Sequence, residues 1–159
     1  MKASKIIGFL LLVGVVGLYL YMQKSKDPTV VSATKIGIVT GTVSQGEDEY
    51  RAAEQIARRY PNRVVHITYP DNFMQEQETT VSNIVSLASD KSVKGIIVGQ
   101  GVPGTIAAIR KAKRLRPDLI FIVWEPHEDP NQVDRAADLI LGNDNITRGK
   151  TIPRLAKKL

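Results

Sequence analysis

The chain contains no cysteine. That excludes disulfides, thiolate metal sites, cysteine nucleophiles and a lipid-modified N-terminal cysteine. Aromatic residues are scarce, at 6%. No basic stripe with interleaved aromatics runs through the central segment, which argues against nucleic-acid binding. A net positive charge is missing from the middle of the chain, although the formal net charge of the whole is +6. Residues 35–145 hold 13 Lys/Arg against 15 Asp/Glu, so the basic excess lies at the two ends. Histidine is nearly absent too: His66 and His127 form no H-x-x-x-H pair, and no metal site is expected. What remains is 159 residues with a large apolar share, enough for one globular domain and an extra segment.

The extra segment is N-terminal. Lys2 and Lys5 precede IIGFLLLVGVVGLYLYM, residues 6–22. As a helix at 1.5 Å per residue this run would extend roughly 25 Å, close to the hydrocarbon core of a bilayer at about 30 Å. Tyr19 and Tyr21 lie near one end, where amphipathic rings suit the interface. The segment has no polar face, which disfavours a buried core helix. A cleaved signal peptide is the competing reading, but the run exceeds the usual apolar region of a signal sequence. Residues 1–22 are therefore expected to be a membrane anchor or signal segment, and residues 23–34 a linker.

From Lys35 onward, short apolar runs alternate with helical patterns. KIGIVT, RVVHITY, KGIIV, LIFIVW and DLILG read as strands; their Val and Ile content without clean alternation suits strands buried on both faces. Between them, Val81, Ile84, Val85 and Ala88 follow helical spacing, as do Ala108, Ala112 and Leu115. Five strands with intervening helices predict a doubly wound, mainly parallel α/β lobe over residues 35–145. Ligands of such folds bind beyond the carboxyl ends of the strands. The loops of interest are TGTVSQ (40–45), PDNF (70–73), GQGVPG (99–104), EPHEDP (125–130) and GNDN (142–145).

Gly41 and Gly46 have the glycine spacing of a phosphate-binding loop, but Glu47 and Asp48 stand where Lys and Ser or Thr would be needed. Ser44 and Glu47 instead read as a capping box opening a helix. GQGVPG matches G-x-G-x-x-G between a strand and a helix, with Glu125 placed to meet a ribose. It lies in the third β-unit, and Pro103 lacks the N–H a phosphate site uses and suits the first turn of a helix. EPHEDP mixes an imidazole with carboxylates and reads as polar recognition of a small ligand. His66 reads as a hydrogen-bonded packing residue, and Trp124 as core.

In order, KIGIVTGTVSQGEDEYRAAEQ, VVHITYPDNFMQEQETT, KGIIVGQGVPGT and EPHEDP resemble a family of bacterial lipoproteins of unknown function. That family belongs to the type I periplasmic-binding-protein superfamily. The resemblance implies a flavodoxin-like lobe, small-molecule binding between two such lobes, and a place outside the cytoplasmic membrane. By position it implies ligand contacts at Thr40, Thr42, Asp71, Asn72, Gln100, Glu125, His127 and Asn143. The chain departs from the family in having no lipidated cysteine, so a single-pass anchor through residues 6–22 is expected in its place. Residues 146–159, with Ile152, Leu155, Ala156 and Leu159 on one face, resemble the start of a crossover helix to a second lobe. The expectation is a tethered solute-binding-protein-like domain for a small polar molecule, serving transport or sensing, with no cofactor and no enzymatic activity. Two readings stay open beside it: a small anchored nucleotide- or flavin-binding enzyme using GQGVPG, and a homodimerisation module using residues 146–159.

Overall fold

The structure is a computed structural model that describes residues 34–157. The anchor expected over residues 6–22, and nearly all of the linker, lie outside the described residues. Among the described residues no helix is long and apolar enough to cross a membrane.

The strands are β1 (Lys35–Thr40), β2 (Val64–Thr68), β3 (Val93–Gly99), β4 (Ile120–Trp124) and β5 (Leu139–Leu141). The helices are α1 (Val43–Arg59), α2 (Gln77–Ser89), α3 (Thr105–Leu115), α4 (Pro130–Asp134) and α5 (Asn145–Ala156). All strand pairs are parallel, in the order β2-β1-β3-β4-β5. This is the doubly wound five-stranded sheet that the alternating pattern predicts. Right-handed crossovers send α1 to one face and α2, α3 and α4 to the other. The winding direction reverses at β1 and β3, which opens a crevice beyond their carboxyl ends.

The two faces are covered unequally. Val39, Ile96, Val98, Phe121 and Val123 are fully buried in one cluster with Val81, Ile84 and Leu87 of α2 and Ile106 and Ile109 of α3. Ala53 is the buried residue of α1. The alternate positions, with side chains toward the α1 face, stay open: Ile120 is 55% exposed, and Leu139 and Leu141 are each 48% exposed. The apolar residues of α5 are exposed as well: Ile146, Ile152 and Leu155. Pro153 lies within α5 and not at its start.

Two local expectations need correction. The capping box does not form: Thr42 is the N-cap of α1 without a side-chain cap bond, and the helix is kinked at Gly46. Glu47 pairs with Arg51 instead. Pro103 does not begin a helix either. The cap of α3 is Gly104, in the left-handed conformation at φ 98°, and the helix starts at Thr105. A Cβ at Gly104 would lie 2.8 Å from the Gln77 backbone oxygen. Helix α2 therefore leaves no room for a side chain there, and the backbone conformation independently favours glycine.

Gly104→Ala is expected to lower folding stability by about 1–3 kcal/mol. Gly142→Ala, with nothing within 4 Å of its Cβ position, is expected to change it little. Paired denaturant melts check the contrast.

Candidate functional site

Two polar clamps hold the loops at the carboxyl edge of the sheet. The first joins the loops after β1 and β2. The Thr42 hydroxyl donates to the Asp71 carboxylate. The Ser44 hydroxyl donates to the same oxygen at 2.9 Å, and Gln45 Nε2 donates to the Asp71 backbone carbonyl at 3.0 Å. This explains the missing capping box. Ser44 and Asp71 lie far apart in sequence, and the tertiary carboxylate takes the hydroxyl that a local N–H would otherwise engage.

The second clamp joins the loops after β3 and β4. The His127 N–H donates to the Gln100 backbone oxygen at 2.9 Å, and the Glu128 N–H to that of Gly101 at 3.2 Å. The Glu128 carboxylate then accepts from the Gly104 N–H at 3.1 Å and the Ile106 N–H at 2.8 Å. It satisfies otherwise orphaned donors at the start of α3 and meets the positive end of that helix. A link to β2 completes the set: the Tyr69 hydroxyl donates to Gln100 Oε1 at 3.2 Å. Burial, and secondarily the nearby charge of Glu49, pushes the Tyr69 phenol up to about 12, so it remains a donor.

This geometry accounts for GQGVPG. A Cβ at Gly101 would lie 2.8 Å from both Pro126 Cα and Val123 Cγ1. Gly101 and Gly104 thus serve close packing. The N–H groups that a pyrophosphate would take at the helix start are held by Glu128.

Beneath the clamps, the Thr40 hydroxyl donates to the Gly41 carbonyl at 2.8 Å. Its oxygen then accepts from His66 Nε2 at 2.8 Å, which assigns the proton to Nε2 in the neutral ring. Tyr50 packs edge-on against the imidazole at 5.2 Å. Burial holds the His66 pKa below its ordinary value, and the charge of Glu54 opposes that shift.

With this edge defined, the chain can be compared with known proteins. A family model described as a protein of unknown function, DUF3798, matches residues 34–159. The chain belongs to the DUF3798 family. An uncharacterised protein of Treponema pallidum (strain Nichols) is 32% identical over 144 residues, covering 86% of this chain and 65% of its own length. A second uncharacterised protein of that organism is 32% identical over 76 residues, covering 48% of this chain and 35% of its own length. The crystal structure of a candidate transcriptional regulator from Clostridium difficile 630 is 28% identical, with a TM-score of 0.69. That match covers 80% of this chain and 38% of the other. This DUF3798 chain therefore spans less than two thirds of each of these proteins.

The eight residues singled out from sequence all lie at the carboxyl edge, but not at one point. Glu125, His127 and Asn143 share a cleft of about 370 Å³ with Pro130 and Ile140. Thr42 faces a separate recess with Ser44, Tyr50 and Thr68. Thr40 is buried and bonded to His66, while it also lines a third cavity beneath α1. Asn72 is exposed, and its backbone oxygen accepts from the Gln75 and Glu76 N–H groups. Gln100 ties the β2 and β3 ends together. Trp124, expected in the core, is only partly buried and lines the cavity beneath α1. Sequence reasoning missed the capping role of Glu128, the bond from Tyr69 and the enclosure of Glu49 Oε2. The Glu128 and Tyr69 contacts join residues more than twenty positions apart, beyond the reach of local patterns.

The folded state favours neutral His66, because its pKa lies below the ordinary 6.5 that the unfolded chain would show. Its contribution to stability is fully present above that ordinary value and is lost as pH falls below it toward the folded pKa. The melting temperature is expected to drop as pH falls below about 6.5. A His66→Gln variant, which keeps a hydrogen-bonding amide without this titration, should flatten that part of the curve.

Proposed function

We propose that this chain is a solute-binding lobe of the type I periplasmic-binding-protein class. In this reading a single-pass anchor tethers it on the outer side of the cytoplasmic membrane, where it takes a small polar ligand for transport or sensing. One observation carries the reading. Among the described residues, Gln100 (φ 60°) and Glu125 (φ 44°) are the non-glycine residues held at positive φ. They sit just beyond the adjacent strands β3 and β4, at the crevice edge. Backbone strain of this kind costs of order 1–3 kcal/mol each and persists where the surroundings impose it, often at ligand sites. The second clamp holds the Gln100 carbonyl, Tyr69 holds the Gln100 side chain, and the Glu125 N–H donates to the Leu141 carbonyl at 2.8 Å. The parallel sheet order suits such a lobe. The nucleotide-binding alternative draws no support from GQGVPG, whose glycines and helix-start N–H groups are already engaged.

Purified full-length chain in mild detergent, screened by thermal shift against sugars, amino acids, nucleosides, amines and small anions, tests the reading. At about one hundred times Kd a ligand adds about 2.7 kcal/mol, or a rise of roughly 5–10 °C for a chain of this size. Gln100→Ala should cut the shift caused by the active class. A panel that moves nothing overturns the proposal.

A second reading, self-association, draws on the exposed apolar residues of α5 and of the open sheet face. Sedimentation should then detect concentration-dependent assembly. Ile152→Ser with Leu155→Ser should abolish it.

A further inference from the structure

The edge where the strands begin differs in charge from the carboxyl edge. At the carboxyl edge the loops 41–49, 70–76, 99–104, 125–130 and 142–144 contain no Lys or Arg. At the amino edge every connection brings a cation. Arg59 and Arg63 lie on the approach to β2, Lys91 on that to β3, Arg114 on that to β4 and Arg135 on that to β5. All five are exposed. The middle of the chain is nearly balanced in charge, and the fold sorts that charge between the two edges.

The acids of the loops at the amino edge are already engaged. Asp90 pairs with Lys35 at 3.6 Å, Asp118 with Arg116 at 2.9 Å and with Lys94 at 3.3 Å, and Asp138 with Lys113 at 2.8 Å. Asp138 also accepts from the Phe121 N–H at 2.7 Å. The Arg116 guanidinium donates further to the Ala88 and Val93 carbonyls, at 3.3 and 3.2 Å, and so ties the end of α2 to the start of β3. Those cations serve the fold. Arg59, Arg63, Lys91, Arg114 and Arg135 have no acidic partner among the described residues.

Helix ends attract cations, which accounts for Arg59 and Arg114 in the last turns of α1 and α3. It does not account for Arg63, next to the start of β2, or for Lys91 in the turn before β3. Nor does it account for two apolar side chains left among them: Leu115 is 65% exposed and Tyr60 48%. The Arg59 guanidinium lies over the Tyr60 ring at 5.6 Å. Five strands at about 4.8 Å spacing spread these groups along an edge roughly 20 Å long. A broad row of cations with an aliphatic and an aromatic tip suits a lipid surface, where such tips enter the headgroup layer. Strand β1 begins at the same edge, so the chain enters the domain there, at Thr34. Residues 23–34 can extend roughly 40 Å at most, which would keep this edge within reach of a bilayer spanned by residues 6–22.

We propose that the amino edge rests on an anionic membrane surface, with the carboxyl edge and its polar loops turned to the aqueous side. Lipid phosphates accept from these five cations, and Leu115 and Tyr60 enter the headgroup layer. The assignment rests on the membrane-tethered reading above and adds an orientation to it. Such attraction amounts to about fivefold in affinity for each cation near the surface. It fades beyond a Debye length, about 10 Å at 0.1 M salt. The same surface repels the acidic carboxyl edge, which reinforces the orientation.

Because the chain has no cysteine, one fluorescent label can be placed at Asn62→Cys on the amino edge or at Gly142→Cys on the carboxyl edge. Energy transfer to a headgroup acceptor then reports the distance of each label from the lipid. Detergent-purified full-length chain is incorporated into vesicles of phosphatidylcholine alone, or of an equal mixture with phosphatidylglycerol. The label at position 62 should come close to the lipid in the mixed vesicles only, and the label at position 142 should stay remote in both. Molar salt should release the edge. Arg63→Glu, Lys91→Glu, Arg114→Glu and Arg135→Glu together should abolish the close state. Arg63→Lys, Arg114→Lys and Arg135→Lys together should keep it, with an unchanged melting temperature showing that the fold is spared. A charge-reversed chain that stays close, or a label at position 62 that reads alike with either lipid, overturns the proposal and leaves the tether intact. Capture of duplex DNA by the same edge at physiological salt, with no response to lipid charge, overturns it in favour of nucleic acid. A chain held only by the mixed vesicles and lost at molar salt supports the edge contact and overturns the tether. A chain that joins neither vesicle overturns both.

Discussion

Strand β1 pairs on both sides, with β2 along one edge and β3 along the other, in parallel register through residues 36–39. Everything functional in the domain depends on that arrangement. Parallel strands must be joined by crossovers, and crossovers are right-handed. The chain therefore winds one way from β1 and the other way from β3. The loops that follow the strands gather at one edge, and the crevice between the two windings lies beside Thr40 and Gly99. Thr42, Asp71, Gln100 and Glu125 come from four different connections and meet only because each connection leaves a strand at the same end.

Once gathered, the loops are held by carboxylates acting on groups distant in sequence. Asp71 holds the start of α1 through two hydroxyls, and Glu128 holds the start of α3 through two backbone N–H groups. Charge-assisted bonds of this kind are roughly twice as strong as neutral ones. Acids thus do structural work at this edge first. Two carboxylate oxygens at this edge, Glu49 Oε2 and Glu125 Oε1, are enclosed without a partner among the described residues.

The domain is also unevenly finished. Its α2–α3 face buries a continuous core, whereas the α1 face leaves Ile120, Leu139 and Leu141 half exposed. Helix α1 follows β1 and lies over the β1–β2 side. The helices after β2, β3 and β4 all cross on the other face. Helices α2, α3 and α4 cannot shield β4 and β5 from the α1 side, because the handedness of the crossovers sends each one to the opposite face.

The strands were plain in the sequence, because Val- and Ile-rich runs of five to seven residues bounded by glycine or polar turns leave little choice of local conformation. KIGIVT coincides with β1, and LIFIVW contains β4. Alternation with amphipathic helices was enough to determine the doubly wound parallel sheet, and with it the edge where polar loops collect. Helix starts were read less well. Ser44 and Glu47 have the spacing of a capping box, yet Asp71 competes for the serine from another loop. Pro103 suits a first turn, yet Gly104 caps the helix because only glycine fits beneath the Gln77 carbonyl. The sequence by itself determined which segments alternate and which chemical groups lie near strand ends, since both follow from local propensity and hydrophobic period. Only the tertiary structure decided which of those groups are engaged and which are free. Glu125 and Glu128 share the loop after β4, and the difference between the satisfied cap at Glu128 and the unpartnered Oε1 of Glu125 lies in contacts made across the fold.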